Sequence, residues 1–248
     1  MKTTLGKIIL SLAVAIVCLN CAVAQNSHEI KLKGTFPIGD FDRVGETAEM
    51  AENGLIGSGA AEGAGLGYRY NFDLANGIAF FVGGDIYWNM TNARYREICK
   101  NPHPKDENEP QNQTPPQYFN FPLWVGVSYR TPFGNSNYWS AYFGAGAGLN
   151  VHYTTSTGWK NFEVRYNPVF SAALAIDAGI TFRQFSLGGE LVSLGSPTIK
   201  GSGEETHHKF KTLDKQRKML MFNVVFSYKL SKHKKEWKPT RKTILDMM

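Results

Sequence analysis

Two carboxylates face each other across a predicted β-hairpin. Apolar residues occupy the even positions from Val164 to Phe182 and, after Arg183-Gln184, the odd positions from Phe185 to Leu191. This change of phase across two residues is typical of a tight turn, and it places Asp177 opposite Glu190 on the polar face. Adjacent carboxylates in a confined interior repel each other unless one binds a proton or a cation lies between them. The pair therefore predicts either an acid/base or metal site, or an ion-pair network.

Bases at inward-facing positions favour the ion-pair network. The alternation in the other predicted strands points a third acid and several bases toward the same interior. A buried charge persists only when it is paired, so we expect these groups to neutralise one another. The predicted lumen network consists of Asp85, Asp177, Glu190, Arg69, Arg130, Arg183, Lys31 and Lys33. An acid/base couple or a metal site on the paired carboxylates is the alternative.

Other reactive side chains lack a supporting motif. Ser171 and His152 point into the same predicted interior as the carboxylates, but no motif brings a nucleophile within reach of a base. The adjacent His207 and His208 have no fixed third partner for a metal. Cys99 is an unpaired thiol in a predicted loop. We expect no catalytic residue, no bound metal and no cofactor.

Eight amphipathic segments position these residues. Alternation with a period of two predicts strands at about 30–38, 63–72, 78–89, 119–130, 139–152, 164–182, 185–194 and 220–229. The connections are long after the first, third, fifth and seventh strands, with solvated loops over residues 91–117 and 195–215, and short after the others. This pattern is typical of outer-membrane barrels. The prediction is an all-β fold, an eight-stranded antiparallel up-and-down transmembrane β-barrel.

Each predicted strand has one apolar face and one face of small, polar or charged residues. A secreted soluble barrel of lipocalin type would turn the apolar face inward. Here the other face is rich in Gly, Ala, Ser and Asn, which suit the inside of a narrow cylinder, so we expect the apolar face to meet lipid. Aromatic girdles are predicted from Tyr70, Phe72, Tyr129, Trp139, Phe182, Phe185 and Tyr228 at the periplasmic rim and from Trp88 at the outer rim.

The first residues of the chain predict its export, and the last residues carry much of its positive charge. Residues 1–24 have a basic start, a short apolar run and a small-x-small site at Ala22-Val23-Ala24, which predicts a removed signal peptide. Lipidation of Cys21 is the alternative. Residues 25–230 form the predicted barrel. Residues 231–248 form a basic periplasmic tail that could bind an anionic membrane face or a periplasmic partner through Lys232, Lys234, Lys235 and Lys238. The high isoelectric point results mainly from the basic residues of this tail. It is therefore no evidence for a nucleic-acid site, and we expect no nucleic-acid partner.

Three stretches carry a family resemblance. They are Gly34-Thr-Phe-Pro-Ile-Gly-Asp-Phe41, Gly65-Leu-Gly-Tyr68 and Phe119-Asn-Phe-Pro-Leu-Trp-Val-Gly-Val127. They resemble the porin-family outer-membrane β-barrel proteins of Bacteroidetes, the OmpA-like and PorT-like eight-strand group. The resemblance implies a Gram-negative outer membrane, with lipid, lipopolysaccharide and the barrel assembly machinery as partners. Family members tend to end on an aromatic residue of the last strand, whereas in this chain about twenty residues follow Tyr228.

The predicted function is a structural or interaction role in the cell envelope. Eight strands enclose a space just wide enough for their own side chains, so the polar lumen is expected to be plugged. A small-solute channel is the first alternative, and an enzyme that modifies lipid A or phospholipid is the second. The loops are expected outside the cell and both termini in the periplasm.

Overall fold

The computed structural model describes residues 25–42, 59–74, 77–100, 114–133, 138–159, 162–199, 201–205, 208–211, 215–216 and 218–230. The predicted signal peptide 1–24 and tail 231–248 lie outside these residues. In chain order the strands are β1 (Gln25–Ile38), β2 (Ala60–Asp73), β3 (Ile78–Thr91), β4 (Tyr118–Pro132), β5 (Trp139–Thr154), β6 (Thr157–Trp159), β7 (Phe162–Tyr166), β8 (Val169–Phe182), β9 (Phe185–Ser193), β10 (Thr198–Ile199), β11 (Gly201–Glu205), β12 (His208–Lys211), β13 (Lys215–Gln216) and β14 (Leu220–Lys229). A 3-10 helix covers Gly39–Phe41, and helix α1 covers Ala93–Lys100.

Eight of these strands close into a barrel in the order β1-β14-β9-β8-β5-β4-β3-β2, and every neighbouring pair is antiparallel. Closure occurs between β1 and β14, where Ile30 pairs with Tyr228 and Ile38 with Leu220. Each strand is hydrogen-bonded to its neighbours on both sides, so the barrel leaves no long free edge. The predicted eight-stranded up-and-down barrel is confirmed.

The two ends of the barrel differ. One end carries the connections 74–77, 133–138 and 183–184, together with the first and last described residues, and we name it the short-turn end. The opposite end carries the connections 39–59, 92–117, 155–168 and 194–219, and we name it the loop end. The predicted alternation of short and long connections is confirmed.

The long connections contain more structure than the alternation predicts. Helix α1 lies within the stretch predicted as a loop over 91–117, and Cys99 belongs to this helix. Strands β6, β7, β11 and β12 form a separate four-stranded sheet, and β10 pairs with β13. The strand predicted over 164–182 is interrupted, because Asn167 and Pro168 separate β7 from β8. Proline cannot donate a backbone hydrogen bond, which suits it to the end of a strand.

The outer surface of the barrel is apolar along its whole length. Outward-facing side chains that are more than half exposed include Leu32, Leu66, Leu123, Val125, Leu149, Phe170, Leu174 and Leu187. An exposed apolar surface of this extent is stable in a bilayer and costly in water. Within the described residues, no helix is both long enough and apolar enough to cross a membrane.

Candidate functional site

The centre of the lumen is built around one buried lysine. Lys33 projects inward from β1, and its side chain is 1% exposed. Its Nζ donates hydrogen bonds to Asp85 Oδ2 at 2.8 Å, to Glu190 Oε2 at 2.7 Å and to the Tyr87 hydroxyl at 2.9 Å. One ammonium group therefore bridges carboxylates from two different strands, β3 and β9.

Neutral donors complete the coordination of these two carboxylates. Asp85 Oδ2 accepts hydrogen bonds from the Tyr87 hydroxyl at 2.8 Å and from Trp124 Nε1 at 2.6 Å. Glu190 Oε2 accepts one from Asn223 Nδ2 at 2.8 Å. A fully partnered polar network rigidifies an interior, whereas an unpartnered charge in it would be costly. Strands β1, β3, β4, β9 and β14 are thus tied together across the lumen.

A second ion-pair cluster lies nearer the short-turn end. Asp177 Oδ2 lies 3.3 Å from Lys31 Nζ and 3.0 Å from Arg69 Nη2. The Arg69 guanidinium also stacks over the Phe81 ring, 3.9 Å from its centroid. Cation–π contacts of this kind add to the stability of a buried arginine.

Glu29 is a lumen carboxylate that the sequence analysis missed. Its Oε1 accepts a hydrogen bond from Ser227 Oγ at 2.5 Å, and the residue is buried. The sequence could have indicated this residue, because Glu29, Lys31 and Lys33 are alternate residues of the first strand and so share one face. With Glu29 included, the buried acids of the described residues are Glu29, Asp85, Asp177 and Glu190. The inward bases Lys31, Lys33, Arg69 and Arg130 lie on the same lumen face, and Asp73 pairs with Lys229 at the short-turn end.

Asp177 and Glu190 are cross-strand partners, as the hairpin register predicts. The predicted repulsion between them is relieved by separate cations, because Lys31 and Arg69 contact Asp177 while Lys33 contacts Glu190. This geometry is that of an ion-pair network.

Glycines on neighbouring strands make room for the carboxylates. A Cβ atom at Gly67 would lie 2.1 Å from Asp85 Oδ1, and one at Gly144 would lie 2.0 Å from Asp177 Oδ1. Any larger residue at these positions would displace the carboxylate from its cation. Gly67 of β2 and Gly144 of β5 therefore leave space for a carboxylate on the neighbouring strand.

The loop end of the lumen is closed by apolar side chains. Phe41 reaches in from the 3-10 helix and packs edge-on against the Tyr118 ring at 5.6 Å between centroids. The buried apolar cluster also includes Phe81, Tyr87 and Trp124 further inside the barrel, and we name its members toward the loop end the plug: Phe41, Ala60, Tyr118, Ala173, Val192, Leu194, Met219 and Met221. All of these residues are almost fully buried, so the plug is sealed from solvent.

A buried polar layer near the plug holds the only histidine that the sequence analysis placed in the lumen. His152 Nδ1 lies 2.9 Å from Asn120 Oδ1, and its Nε2 lies 2.9 Å from Thr154 Oγ1. The Ser171 hydroxyl instead donates to the backbone carbonyl of Leu194 at 2.6 Å. The structure therefore does not pair a serine nucleophile with this histidine.

Two predicted lumen bases do not join the ion-pair network within the part of the chain that the structure describes. Arg183 is corrected by the structure: it occupies the exposed β8–β9 turn with φ of 55°, and its guanidinium stacks on the Tyr138 ring. A residue inside a two-residue turn belongs to neither face of the strands. The odd-numbered position of Arg183 therefore does not place its side chain in the lumen. Arg130 does face the lumen, and among the described residues it forms no ion pair within 4.0 Å.

The predicted aromatic residues lie on the outer surface near the two rims. At the short-turn end the rings of Trp139 and Phe182 lie 4.7 Å apart, and those of Phe185 and Tyr228 lie 5.1 Å apart. Tyr70 and Phe72 are in edge contact at 4.7 Å, and the exposed Tyr129 pairs in register with Ile78 at the same end of the barrel. At the loop end Trp88 pairs in register with Phe119, which pairs with Tyr153.

The remaining candidate sites are the metal site and the basic tail. Among the described residues, no group of three or more His, Cys, Asp or Glu side chains could hold a metal ion. His207 and the tail lysines Lys232, Lys234, Lys235 and Lys238 lie outside the described residues.

Comparison with known proteins returns structural likeness only. No protein-family model and no curated protein sequence matches the chain. Among solved structures, it is similar to Neisserial surface protein A, at 10% identity over 84% of this chain and 97% of that one, with a TM-score of 0.47. It is also similar to the outer membrane protein OprG of Pseudomonas aeruginosa, at 10% identity over 85% of this chain and 99% of that one, with a TM-score of 0.45. A major outer membrane protein of Thermus thermophilus matches at 12% identity over 82% and 99%, TM-score 0.44.

Identities this low bear on the fold alone, and the fold is established by the strand pairings of the chain itself. Those pairings, the apolar exterior and the polar lumen define an eight-stranded β-barrel of the transmembrane type.

Proposed function

We propose that the chain is an outer-membrane β-barrel of a Gram-negative cell, with its loops extracellular and its termini periplasmic. The apolar exterior supports a bilayer location, and the predicted signal peptide supports export. The short-turn end carries both described chain ends, as periplasmic ends of such barrels do. The motifs around Pro37 and Pro122 support a place in the Bacteroidetes-type porin family.

Its role is structural or interaction-based, with no catalysis and no cofactor. The observation that carries this proposal is the closed lumen. Lys33 bridges two carboxylates across the centre, and the plug fills the loop end, so the interior is occupied by the barrel's own side chains. The function is then performed by the surfaces that the barrel displays, chiefly its long connections and its basic tail.

Conductance in planar lipid bilayers tests the closed lumen. The purified full-length mature chain is inserted at neutral pH in 1 M salt (roughly 3 Å screening length), and we expect the current to stay at baseline. Insertion is verified on the same sample by the gel shift between heated and unheated barrel. Discrete current steps from a correctly folded barrel would refute the closed lumen and favour a small-solute channel.

A pull-down from envelope extract tests the interaction role. The mature chain with and without residues 231–248 serves as bait, so that partners of the basic tail separate from partners of the barrel. We expect an envelope protein to be captured by at least one bait, and capture that depends on the tail identifies Lys232, Lys234, Lys235 and Lys238 as the contact. Lipid A mass spectra that change when Asp177 and Glu190 are replaced by Asn and Gln would instead indicate an enzyme.

A further inference from the structure

A neutral histidine lies in the buried polar layer next to the plug. This layer, which we name the histidine layer, consists of His152, Asn120, Asn150 and Thr154, and His152 is 1% exposed. Asn120 Oδ1 accepts hydrogen bonds from Asn150 Nδ2 at 3.1 Å and from His152 Nδ1 at 2.9 Å. Because Nδ1 of the ring donates, Nε2 of the neutral ring accepts the hydroxyl hydrogen of Thr154 at 2.9 Å.

The imidazole has no counter-charge within the described part of the chain. His152 forms no ion pair there within 4.0 Å. Its neighbours include the Asn120 amide and the Tyr118 ring on β4, the Thr154 hydroxyl on its own strand, and Val169, its register partner on β8. Tyr118 is the titratable group among these four, and a neutral phenol supplies no negative charge. A proton added to His152 would therefore be a buried, unpaired charge, which is costly.

The carboxylates on the neighbouring part of the lumen already have a cation. On β3 the register partner of Asn120 is Tyr87, whose hydroxyl bonds to Lys33 Nζ, Asp85 Oδ2 and Glu190 Oε2. Lys33 Nζ in turn donates to both carboxylates, at 2.8 and 2.7 Å. Neither Asp85 nor Glu190 is left to pair with an imidazolium in the histidine layer.

Two ring contacts connect His152 to the plug. The Tyr118 ring stacks on the imidazole, with 6.2 Å between centroids and 18° between planes. Phe41 meets the same Tyr118 ring edge-on at 5.6 Å. The Phe41 carbonyl accepts a hydrogen bond from the Gly59 N–H at 3.1 Å, and Gly39 precedes Phe41 with φ of +67°, a conformation that suits glycine. The three rings thus form one stack from the histidine layer to the loop end.

The packing of the plug, more than the hydrogen bonds of the histidine layer, keeps this end closed. Within the described residues, Asn120 Nδ2 and Asn150 Oδ1 have no hydrogen-bond partner, although both side chains are buried. Buried polar atoms without partners are destabilising, and water would satisfy them once the plug opened. Opening therefore gains hydrogen bonds in the layer and loses packing in the plug. A new charge in the layer shifts this balance toward opening.

We propose that His152 is a pH-sensitive latch, whose protonation in a mildly acidic medium opens the plug and exposes the histidine layer at the loop end. An exposed imidazole binds a proton at a pH of about 6.5, whereas the closed layer excludes the charge. The ratio of open to closed plug then rises by up to about tenfold for each pH unit below that value. Lys33 and its partners lie deeper in the lumen, so this opening creates no pore. The latch does not depend on the proposed interaction role.

Thiol labelling of the plug tests the latch. In the full-length mature chain with Cys99→Ser, Met219→Cys places a thiol in the plug, where Met219 is 1% exposed. The probe is dithiodipyridine, which reacts with thiols in acid as well as at neutral pH. The labelling rate of the barrel in detergent is divided by that of the urea-unfolded chain at the same pH, which removes the pH dependence of the thiol itself. We expect this relative rate to rise about thirtyfold from about pH 7.5 to about pH 5.0.

Three variants of this chain serve as controls. His152→Gln keeps an uncharged polar side chain without the titration, so we expect its relative rate to be independent of pH. His28→Gln is the matched control, because His28 is an exposed histidine near the short-turn end, and we expect it to keep the rise. Ala79→Cys in place of Met219→Cys puts the thiol at a buried position near the short-turn end, where we expect no rise.

Asn120→Asp gives the opposite test, because it puts a carboxylate oxygen where Asn120 Oδ1 lies, 2.9 Å from His152 Nδ1. A paired imidazolium is tolerated in a buried layer, so we expect the plug to stay protected at about pH 5.0. This variant also serves if His152→Gln does not give a heat-modifiable barrel. The latch is overturned if the thiol of Met219→Cys shows no rise, if the rise persists in His152→Gln or Asn120→Asp, or if the thiol of Ala79→Cys rises in parallel.

Discussion

Replacing Lys33 with methionine removes the central cation of the lumen while keeping most of the side-chain volume. Asp85 and Glu190 then lose their shared ammonium group, which lies 2.8 and 2.7 Å from them. Removal of one partner from a buried ion pair costs about 3–5 kcal/mol. Trp124, Tyr87 and Asn223 still donate to the two carboxylates, so we expect a loss near the lower limit, about 3 kcal/mol.

Urea-induced unfolding in phospholipid vesicles, followed by tryptophan fluorescence, measures this loss as a lower midpoint at unchanged slope. Lys229→Met is the matched control. Its Nζ lies 2.9 Å from Asp73 Oδ2, but the two side chains are 19% and 29% exposed, so we expect at most about 1 kcal/mol.

A double variant tests whether the loss of stability comes from the carboxylates left without a cation. Lys33→Met combined with Glu190→Gln leaves one fewer unpaired carboxylate, and we expect it to be more stable than Lys33→Met alone. The reasoning fails if Lys33→Met costs no more than Lys229→Met, or if the added Glu190→Gln lowers stability further.

Two further substitutions probe the backbone. Gly148→Ala would bring a Cβ atom to 1.8 Å from the Leu123 carbonyl oxygen, whereas the nearest contact of a Cβ atom at Gly34 would be 3.7 Å. In the same urea assay we expect Gly148→Ala to destabilise the barrel by more than about 1 kcal/mol and Gly34→Ala by less. Similar midpoints for the two variants would contradict this. Arg183 has φ of 55°, a backbone conformation that glycine adopts readily and a β-branched residue does not. We expect Arg183→Gly to keep or raise the unfolding midpoint and Arg183→Val to lower the free energy of unfolding by about 1 kcal/mol. The reverse order would exclude strain at this turn.

The faces and the register of the barrel strands follow from the sequence because two simple constraints act together. A strand that separates lipid from a packed lumen must alternate with a period of two, and a slip of one residue would exchange the two faces completely. The pairing of Asp177 with Glu190 follows from the Arg183-Gln184 turn alone. The same constraints are absent in the long connections, where α1 and the small four-stranded sheet were not predicted.

The lumen was predicted less completely, because the sequence indicates which residues face inward but does not indicate which of them meet. Glu29 was missed since apolar alternation fades before Ile30, although β1 begins at Gln25. The aromatic donors Tyr87 and Trp124 share the inward face with the charged residues, yet their role depends on side-chain reach across the barrel, from β3 and β4 to Asp85 and, for Tyr87, to Glu190 as well.

The unequal ends of β8 and β9 show what the pattern within one strand does not indicate. Alternation over 164–182 predicts a single long strand, but a strand is defined by its partners, and β9 ends at Ser193 while β8 starts at Val169. Pro168 lies between β7 of the small sheet and the start of β8, where a residue that cannot donate a backbone hydrogen bond is suited to a strand end. The two neighbouring strands therefore end at different levels, and residues 169–173 have a ladder partner in β5 but none in β9. Neither hydrophobicity nor charge along one strand indicates where its neighbour ends.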